Sequence, residues 1–152
     1  MNGRAWDSFL NRFVLTTWFD KGDRPKTRQA MYVLSQKIPA HDRKRIPPST
    51  IVYAPSPKMS GEARRRVHPA GRKRYEFFLY LSPMLEEMEQ AEVENIVAHE
   101  FAHLILESRK RRISGADTYP GAARDQAADR LIEQWGFIAA YKPPSKSNEV
   151  KL

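Results

Sequence analysis

The sequence predicts a single α+β domain with a short mixed sheet and, late in the chain, two helices packed together. Helical periodicities open and close the chain, strand-like segments lie between them, and turns rich in Pro and Gly separate these parts. At 152 residues and 17.6 kDa the chain has the size of one ordinary domain with one core. We expect the domain to span residues 1–141, followed by a disordered tail over 142–152.

Residues 1–40 are expected to be helical. An amphipathic stripe at helical spacing predicts a first helix that contains Trp6, Phe9, Leu10, Phe13, Val14 and Thr17. Turn chemistry at Asp20–Pro25 ends it. A second helix is predicted from about Thr27 to Lys37 and is closed by Pro39. Residues 40–49 are predicted to form a basic loop.

Strand signals occupy the middle of the chain. Thr50–Tyr53 is a short strand candidate, and residues 58–74 are polar and basic, which predicts either an irregular hairpin or a mobile loop. Tyr75–Leu81 is rich in aromatic and apolar residues, so we expect a strand that is buried on both faces. Ser82 with Pro83 predicts a capped helical turn directly after it.

Two helices are predicted in the last third. The first covers about Glu92 to Glu107 and is apolar on nearly every side, which is typical of a buried helix. A connector over 108–120 follows, and the second helix runs from about Ala122 to Trp135 and stops at Gly136.

Composition limits the chemistry that the chain can carry out. The absence of Cys excludes a disulfide framework, a cysteine zinc site and a thiol nucleophile, so a metal would have to be held by His and carboxylates. The four His residues are His41, His68, His99 and His103. The N-terminus has no apolar signal core and no segment reaches transmembrane length, so we expect a cytoplasmic protein without a membrane partner.

The segment His99-Glu100-Phe101-Ala102-His103 is an H-E-x-x-H motif. Residues i and i+4 of a helix project about 40° apart, so two imidazoles can converge on one metal ion while the glutamate addresses a bound water. A surface His pair, or two capped core residues, is the alternative. The apolar surroundings argue against it, because two His and a Glu are costly to bury without partners.

A catalytic zinc usually takes three protein ligands, and no His follows His103. The last helix offers Asp125 and Asp129, which lie four residues apart at the edge of its apolar stripe. Asp125 could equally be an acid favoured by the helix dipole, and Asp129 a solvated partner of an Arg. Glu107 competes with Asp125, although its place on the motif helix suits it better to contact a ligand. Asp129 could accept a hydrogen bond from a ligand imidazole.

Two segments together resemble the core of the gluzincin metallopeptidases, Val97–Leu104 with its H-E-x-x-H motif and Asp125–Leu131. The short form is similar to compact bacterial and phage peptidase domains of the ImmA/IrrE type. The resemblance covers residues 75–137 and implies a zincin-like fold in which the two metal-bearing helices pack together.

The resemblance also implies a site. It gives one zinc ion per chain, with His99 and His103 as ligands, Glu100 as the general base, and Asp125 at the position where the family has a glutamate. It further implies that the strand Tyr75–Leu81 lies beside the cleft, where it could hold a peptide by strand addition. Tyr119, in the connector between the two helices, could stabilise an oxyanion.

The formal net charge of +8 favours acidic partners. Basic clusters could follow a phosphate backbone, or they could simply solubilise the surface; they are Arg43–Arg45, Arg64–Arg66, Arg72–Arg74 and Arg109–Arg112. The charge is uneven along the chain, because no Lys or Arg lies between Tyr75 and Ser108.

The function predicted from these observations is zinc-dependent hydrolysis of peptide bonds in a protein or peptide substrate, with Glu100 as the base. The first alternative is a basic protein that associates with nucleic acid, including a protease that acts on DNA-bound proteins, with a structural or absent metal. The second is an interaction domain that keeps the helix pair without a metal.

Overall fold

A central helix, a four-stranded sheet and a further set of helices make up the molecule in a computed structural model, which describes residues 3–15, 24–48, 50–53, 61–67, 75–108 and 121–139. The elements in chain order are α1 (Gly3–Leu10), β1 (Phe13–Leu15), α2 (Pro25–Lys37), α3 (Ala40–Arg43), β2 (Thr50–Tyr53), β3 (Gly61–Val67), β4 (Tyr75–Leu81), a 3₁₀ turn (Pro83–Glu87), α4 (Gln90–Ser108) and α5 (Gly121–Gln134).

The strands form one mixed sheet in the order β1-β2-β4-β3. β1, β2 and β4 are parallel, and β3 pairs antiparallel to β4. In the register, Val52 of β2 and Ala63 of β3 both lie opposite Leu79 of β4. The expected α+β class with a short mixed sheet is therefore confirmed, as are the predicted strands Thr50–Tyr53 and Tyr75–Leu81.

The N-terminal prediction was wrong in one respect, because the first helix ends at Leu10 and the chain continues as β1. The short strand satisfies its backbone groups by pairing with β2, a partner more than 30 residues away in sequence. The rings of Phe9 and Phe13 are in contact, with 4.7 Å between their centroids. The two residues that suggested a continuous helix are therefore neighbours, although the helix ends between them. Residues 1–40 are accordingly not all helical.

Two segments expected to lack regular structure contain some. Of the stretch 58–74 the structure describes residues 61–67, which form the strand β3 and pair with β4 and not with a second strand inside the stretch. The predicted loop over 40–49 begins with the short helix α3. The carbonyl groups of Lys44 and Ile46, just after α3, accept hydrogen bonds from the Arg12 guanidinium at 2.6 Å, which fixes this turn against the start of β1.

The helix α4 lies in the middle of the core, as its apolar composition predicts. α4 contacts β3 and β4 of the sheet and also packs against α2 and α5. Phe101 of α4 is fully buried, and its ring lies 5.2 Å from that of Phe9 and 5.3 Å from that of Phe13. Because neighbours surround α4, its polar residues must find partners inside the protein.

The ends of the helical segments follow the sequence signals. The Ser82 hydroxyl accepts the backbone N–H of Met84 and caps the 3₁₀ turn. At the end of α5, Gly136 has a φ of 89°, and the N–H groups of Gly136 and Phe137 donate to the carbonyls of Glu133 and Ile132. This is a Schellman motif, which requires a left-handed residue at the Gly136 position. None of the described helices combines the length and apolar character that crossing a membrane requires.

Candidate metal centre

The candidate centre forms where α4 packs against α5. By helical geometry the face of α4 that carries His99 and His103 also carries Ala102, and the face of α5 that carries Asp125 and Asp129 also carries Ala128. Both alanines are fully buried. A small residue on each face lets two helix axes approach closely, because the distance between packed helices depends on the side chains at the contact.

Three ligand-type atoms converge at this contact. The Nε2 atoms of His99 and His103 are 2.9 Å apart. The Oδ1 atom of Asp125 lies 3.3 Å from the first and 3.0 Å from the second. Among the described residues, these three form the one group of His, Asp or Glu whose atoms could together hold a metal ion. Asp125 thus reaches both imidazoles from the neighbouring helix, although its side chain is one methylene shorter than that of a glutamate.

Asp129 contacts the opposite side of one imidazole. Its Oδ1 atom lies 2.9 Å from Nδ1 of His99, and a carboxylate can only accept, so the Nδ1 proton of His99 points at Asp129. A neutral imidazole has one N–H, and this contact uses it. The Nε2 atom of His99 therefore presents a lone pair to the cluster, which is the form in which imidazole binds a metal.

The hydrogen-bond count shows whether a cation suits the site. With its proton on Nδ1, His99 has a lone pair on Nε2 that faces the Oδ1 atom of Asp125 at 3.3 Å. One proton on Nε2 of His103 can serve one of these two acceptors, so a cation between the three atoms would satisfy the other. A tetrahedral zinc ion with bonds of about 2.0–2.1 Å separates its ligand atoms by about 3.3–3.4 Å. The observed separations of 2.9, 3.0 and 3.3 Å are close to that spacing, so the donor set fits the ion.

Exposure differs across the centre. The side chain of His99 is 1% exposed, that of His103 17%, that of Asp129 22% and that of Asp125 40%. Among the described residues, the centre is therefore closed on the His99 side and open on the Asp125 side. Burial lowers the pKa of His103 below its ordinary value of 6.5 and the adjacent His99 lowers it further, whereas Asp125 and Glu107 oppose the shift. The lowered pKa favours the neutral imidazole, the form that binds a metal.

The other residues considered from sequence take different places. Glu100 is buried on α4, with 6% of its surface exposed, directly after His99. Glu107 acts on His103 through its charge and is not one of the three converging residues. His41 lies on α3 with 71% of its side chain exposed, beside Asp42. Tyr119, His68 and the tail predicted over 142–152 lie outside the described residues.

The expected role of Tyr75–Leu81 as a strand that binds a peptide along its edge is wrong. In the described part of the sheet, Phe78–Tyr80 of this segment, β4, pair with β2 on one side and the whole of β4 pairs with β3 on the other, so the middle of β4 has no free edge. β3 occupies the edge position beside it and also contacts α4. The polar and basic composition of residues 58–74 predicted either a hairpin or a loop, so the sequence did not assign an edge strand beside β4.

No family model, curated protein or solved structure matches this chain. The centre therefore has to be interpreted from its own geometry.

Proposed function

We propose that this protein is a zinc-dependent peptidase of the gluzincin type, similar to ImmA/IrrE-type domains, with one zinc ion held by His99, His103 and Asp125. The observation that carries the proposal is the convergence of three ligand atoms within 3.3 Å of one another, with the remaining N–H of His99 directed at Asp129. Three protein ligands and an open side are the arrangement of catalytic zinc sites, whereas structural sites are closed by four.

Zinc in such a site lowers the pKa of a bound water to about 7 and polarises a carbonyl group. The protein residues then have separate tasks. Glu100 follows His99 by one residue and precedes His103 by three, so it projects from a neighbouring part of the same helix face. Its carboxylate takes the proton of the attacking water and returns it to the leaving amine.

Asp129 holds the His99 ring in one tautomer and one orientation. The carboxylate does so through the 2.9 Å contact with Nδ1, which leaves Nε2 free of a proton. Asp125 contributes the third ligand atom and a negative charge on the open side of the centre. The two aspartates of α5 thus perform different tasks, although they occupy equivalent positions one turn apart.

A peptide substrate requires a surface beside the centre, and β3 supports one. Among the described residues β3 has a single strand neighbour, β4, so its other edge can accept main-chain hydrogen bonds. β3 also contacts α4, the helix that carries both imidazoles. We propose that substrate adds to the sheet along β3, and not along β4.

The activity is tested with Glu100→Gln. Zinc-loaded wild type and Glu100→Gln are incubated with a mixture of peptides from a denatured proteome, and new peptide termini are identified by mass spectrometry. We expect cleavage by the wild type and a loss of at least about 100-fold in Glu100→Gln, because the amide cannot accept the proton. Zinc content measured on the same samples should be equal. New termini produced equally by both proteins would contradict the role of Glu100.

A non-catalytic domain with a metal at the same place is the second candidate. It is favoured by the burial of His99, since a metal can also bind a buried imidazole in a structural role. In that case zinc would raise the thermal stability of the protein, and neither protein would generate new termini from the peptide mixture.

A further inference from the structure

Positive charge gathers where α2 and α3 meet the C-terminal end of α5. From Lys37 to Ile46 the chain contains four Lys or Arg residues and one acid, Asp42. Asp42 is 3% exposed, and its carboxylate accepts the indole N–H of Trp135 at 2.9 Å. It also lies 3.8 Å from the guanidinium of Arg45. The one acid of this segment therefore faces the interior, and the surface above it stays positive.

Contacts hold several of these cations in one place. Arg12 reaches across to bind the carbonyls of Lys44 and Ile46. The ammonium group of Lys37 donates to the carbonyl of Gly136 at 3.4 Å, beside Trp135. We call the resulting group the basic end; its members are Arg12, Lys37, Arg43, Lys44 and Arg45. Lys37, Lys44 and Arg45 are exposed, as is the neighbouring His41.

The basic end is separate from the candidate metal centre. Trp135 comes ten residues after Asp125, which corresponds to about 15 Å along the axis of α5. The helix α4, which carries both imidazoles, contains four Glu residues and no Lys or Arg. The cations of the basic end therefore lie toward the end of α5 that is opposite to the candidate centre, where their charge can attract an anionic partner.

We propose that the basic end binds the phosphate backbone of a nucleic acid. Guanidinium groups bind phosphate oxygens in a bidentate manner, and adjacent exposed Lys and Arg side chains suit a polymer with regularly spaced charges. Attachment to an anionic membrane would use an apolar stripe next to the cations. The large apolar side chains exposed among the described residues are Met84 and Ile138, which do not make such a stripe. The proposal is independent of the peptidase activity.

The test compares a neutralised basic end with a matched control. Binding of a labelled duplex of about 20 base pairs is followed by fluorescence anisotropy at about 50 mM salt and at rising salt. The test variant is Lys44→Gln with Arg45→Gln. The control variant, Arg4→Gln with Arg28→Gln, removes the same charge from exposed positions on α1 and at the start of α2. Glu100→Gln is included to separate binding from catalysis, and a thermal melt of each variant verifies folding.

The wild type and Glu100→Gln should bind with equal affinity. The test variant should bind about tenfold more weakly, and the slope of log K against log salt should fall by about 2 in magnitude, since two phosphate contacts are lost. The control variant should change affinity by less than about threefold. Equal losses in both variants would overturn the proposal, as would absence of duplex binding by the wild type at low salt. Binding of anionic phospholipid vesicles without binding of the duplex would overturn it as well.

Discussion

Replacing Asp129 should weaken zinc binding although this residue is not a ligand in the proposed centre. Its carboxylate contacts the far nitrogen of His99 at 2.9 Å, whereas the atoms that would bind the ion belong to His99, His103 and Asp125. Losing such a partner typically costs 10–100-fold in metal affinity. That range corresponds to about 1.4–2.7 kcal/mol.

The structure sets where each variant falls in that range. Asp129→Asn keeps an oxygen that can accept the Nδ1–H of His99 but loses the negative charge. Because the Asp129 side chain is 22% exposed, we expect the zinc affinity to fall by about tenfold. Asp129→Ala removes the acceptor altogether and should approach a loss of about 100-fold. Zinc affinity is measured by competition with a chromophoric chelator at pH 7.5. Glu133→Gln, an exposed position one turn further along α5, carries the same charge change as a control.

Two results would refute this reasoning. If Asp129→Ala binds zinc as tightly as the control, the contact with His99 has no influence on the centre. If Asp129→Ala loses zinc entirely while Asp125→Ala keeps most of its affinity, the two aspartates have exchanged roles.

Three further predictions concern stability, measured by urea unfolding of the metal-free protein. Gly136→Ala should lower the free energy of unfolding by about 1–2 kcal/mol, because a φ of 89° strains any residue that has a Cβ. The strain comes from the backbone alone, since an added Cβ would have no atom within 4 Å. Unchanged stability would contradict the Schellman motif. Trp135→Phe should cost about 2 kcal/mol by removing the indole hydrogen bond to the buried carboxylate of Asp42, and a cost below about 0.5 kcal/mol would contradict the importance of that bond. Burial and the imidazole of His99 lower the pKa of His103 below 6.5 in the folded protein. As the pH drops, His103 is therefore protonated in the unfolded chain before it is protonated in the folded one. The free energy of unfolding should consequently fall as the pH drops from about 7.5 through 6.5 to 5.5. His103→Gln should lessen that dependence, and an identical pH profile in both proteins would contradict the shift.

Much of the centre could be predicted because its essential spacing is local. Positions i and i+4 of a helix share a face whatever the rest of the fold does, so His99 and His103 had to be neighbours once α4 formed. The burial of α4 was itself predictable, since a helix that is apolar on nearly every side is typical of a core. The same argument placed Asp125 and Asp129 on one face of α5.

The remaining features depend on distances that no local pattern contains. Whether Asp125 reaches the imidazoles depends on how closely α4 and α5 approach, which Ala102 and Ala128 permit from two separate helices. β1 was not predicted, because its apolar residues continue the helical spacing of the preceding segment and become a strand only by pairing with β2. β3 pairs with β4, the next strand along the chain, and takes the edge position beside it, which the polar and basic composition of residues 58–74 did not indicate.

The account depends most directly on whether the protein binds one zinc ion through the residues that converge between α4 and α5. The deciding measurement is the metal content, by mass spectrometry, of protein purified without chelator and equilibrated with a small excess of zinc followed by desalting. We predict about one zinc per chain in the wild type and in Glu100→Gln, and less than about a tenth of that in His99→Ala and His103→Ala. Folded wild-type protein without zinc, or folded histidine variants that keep it, would contradict the account.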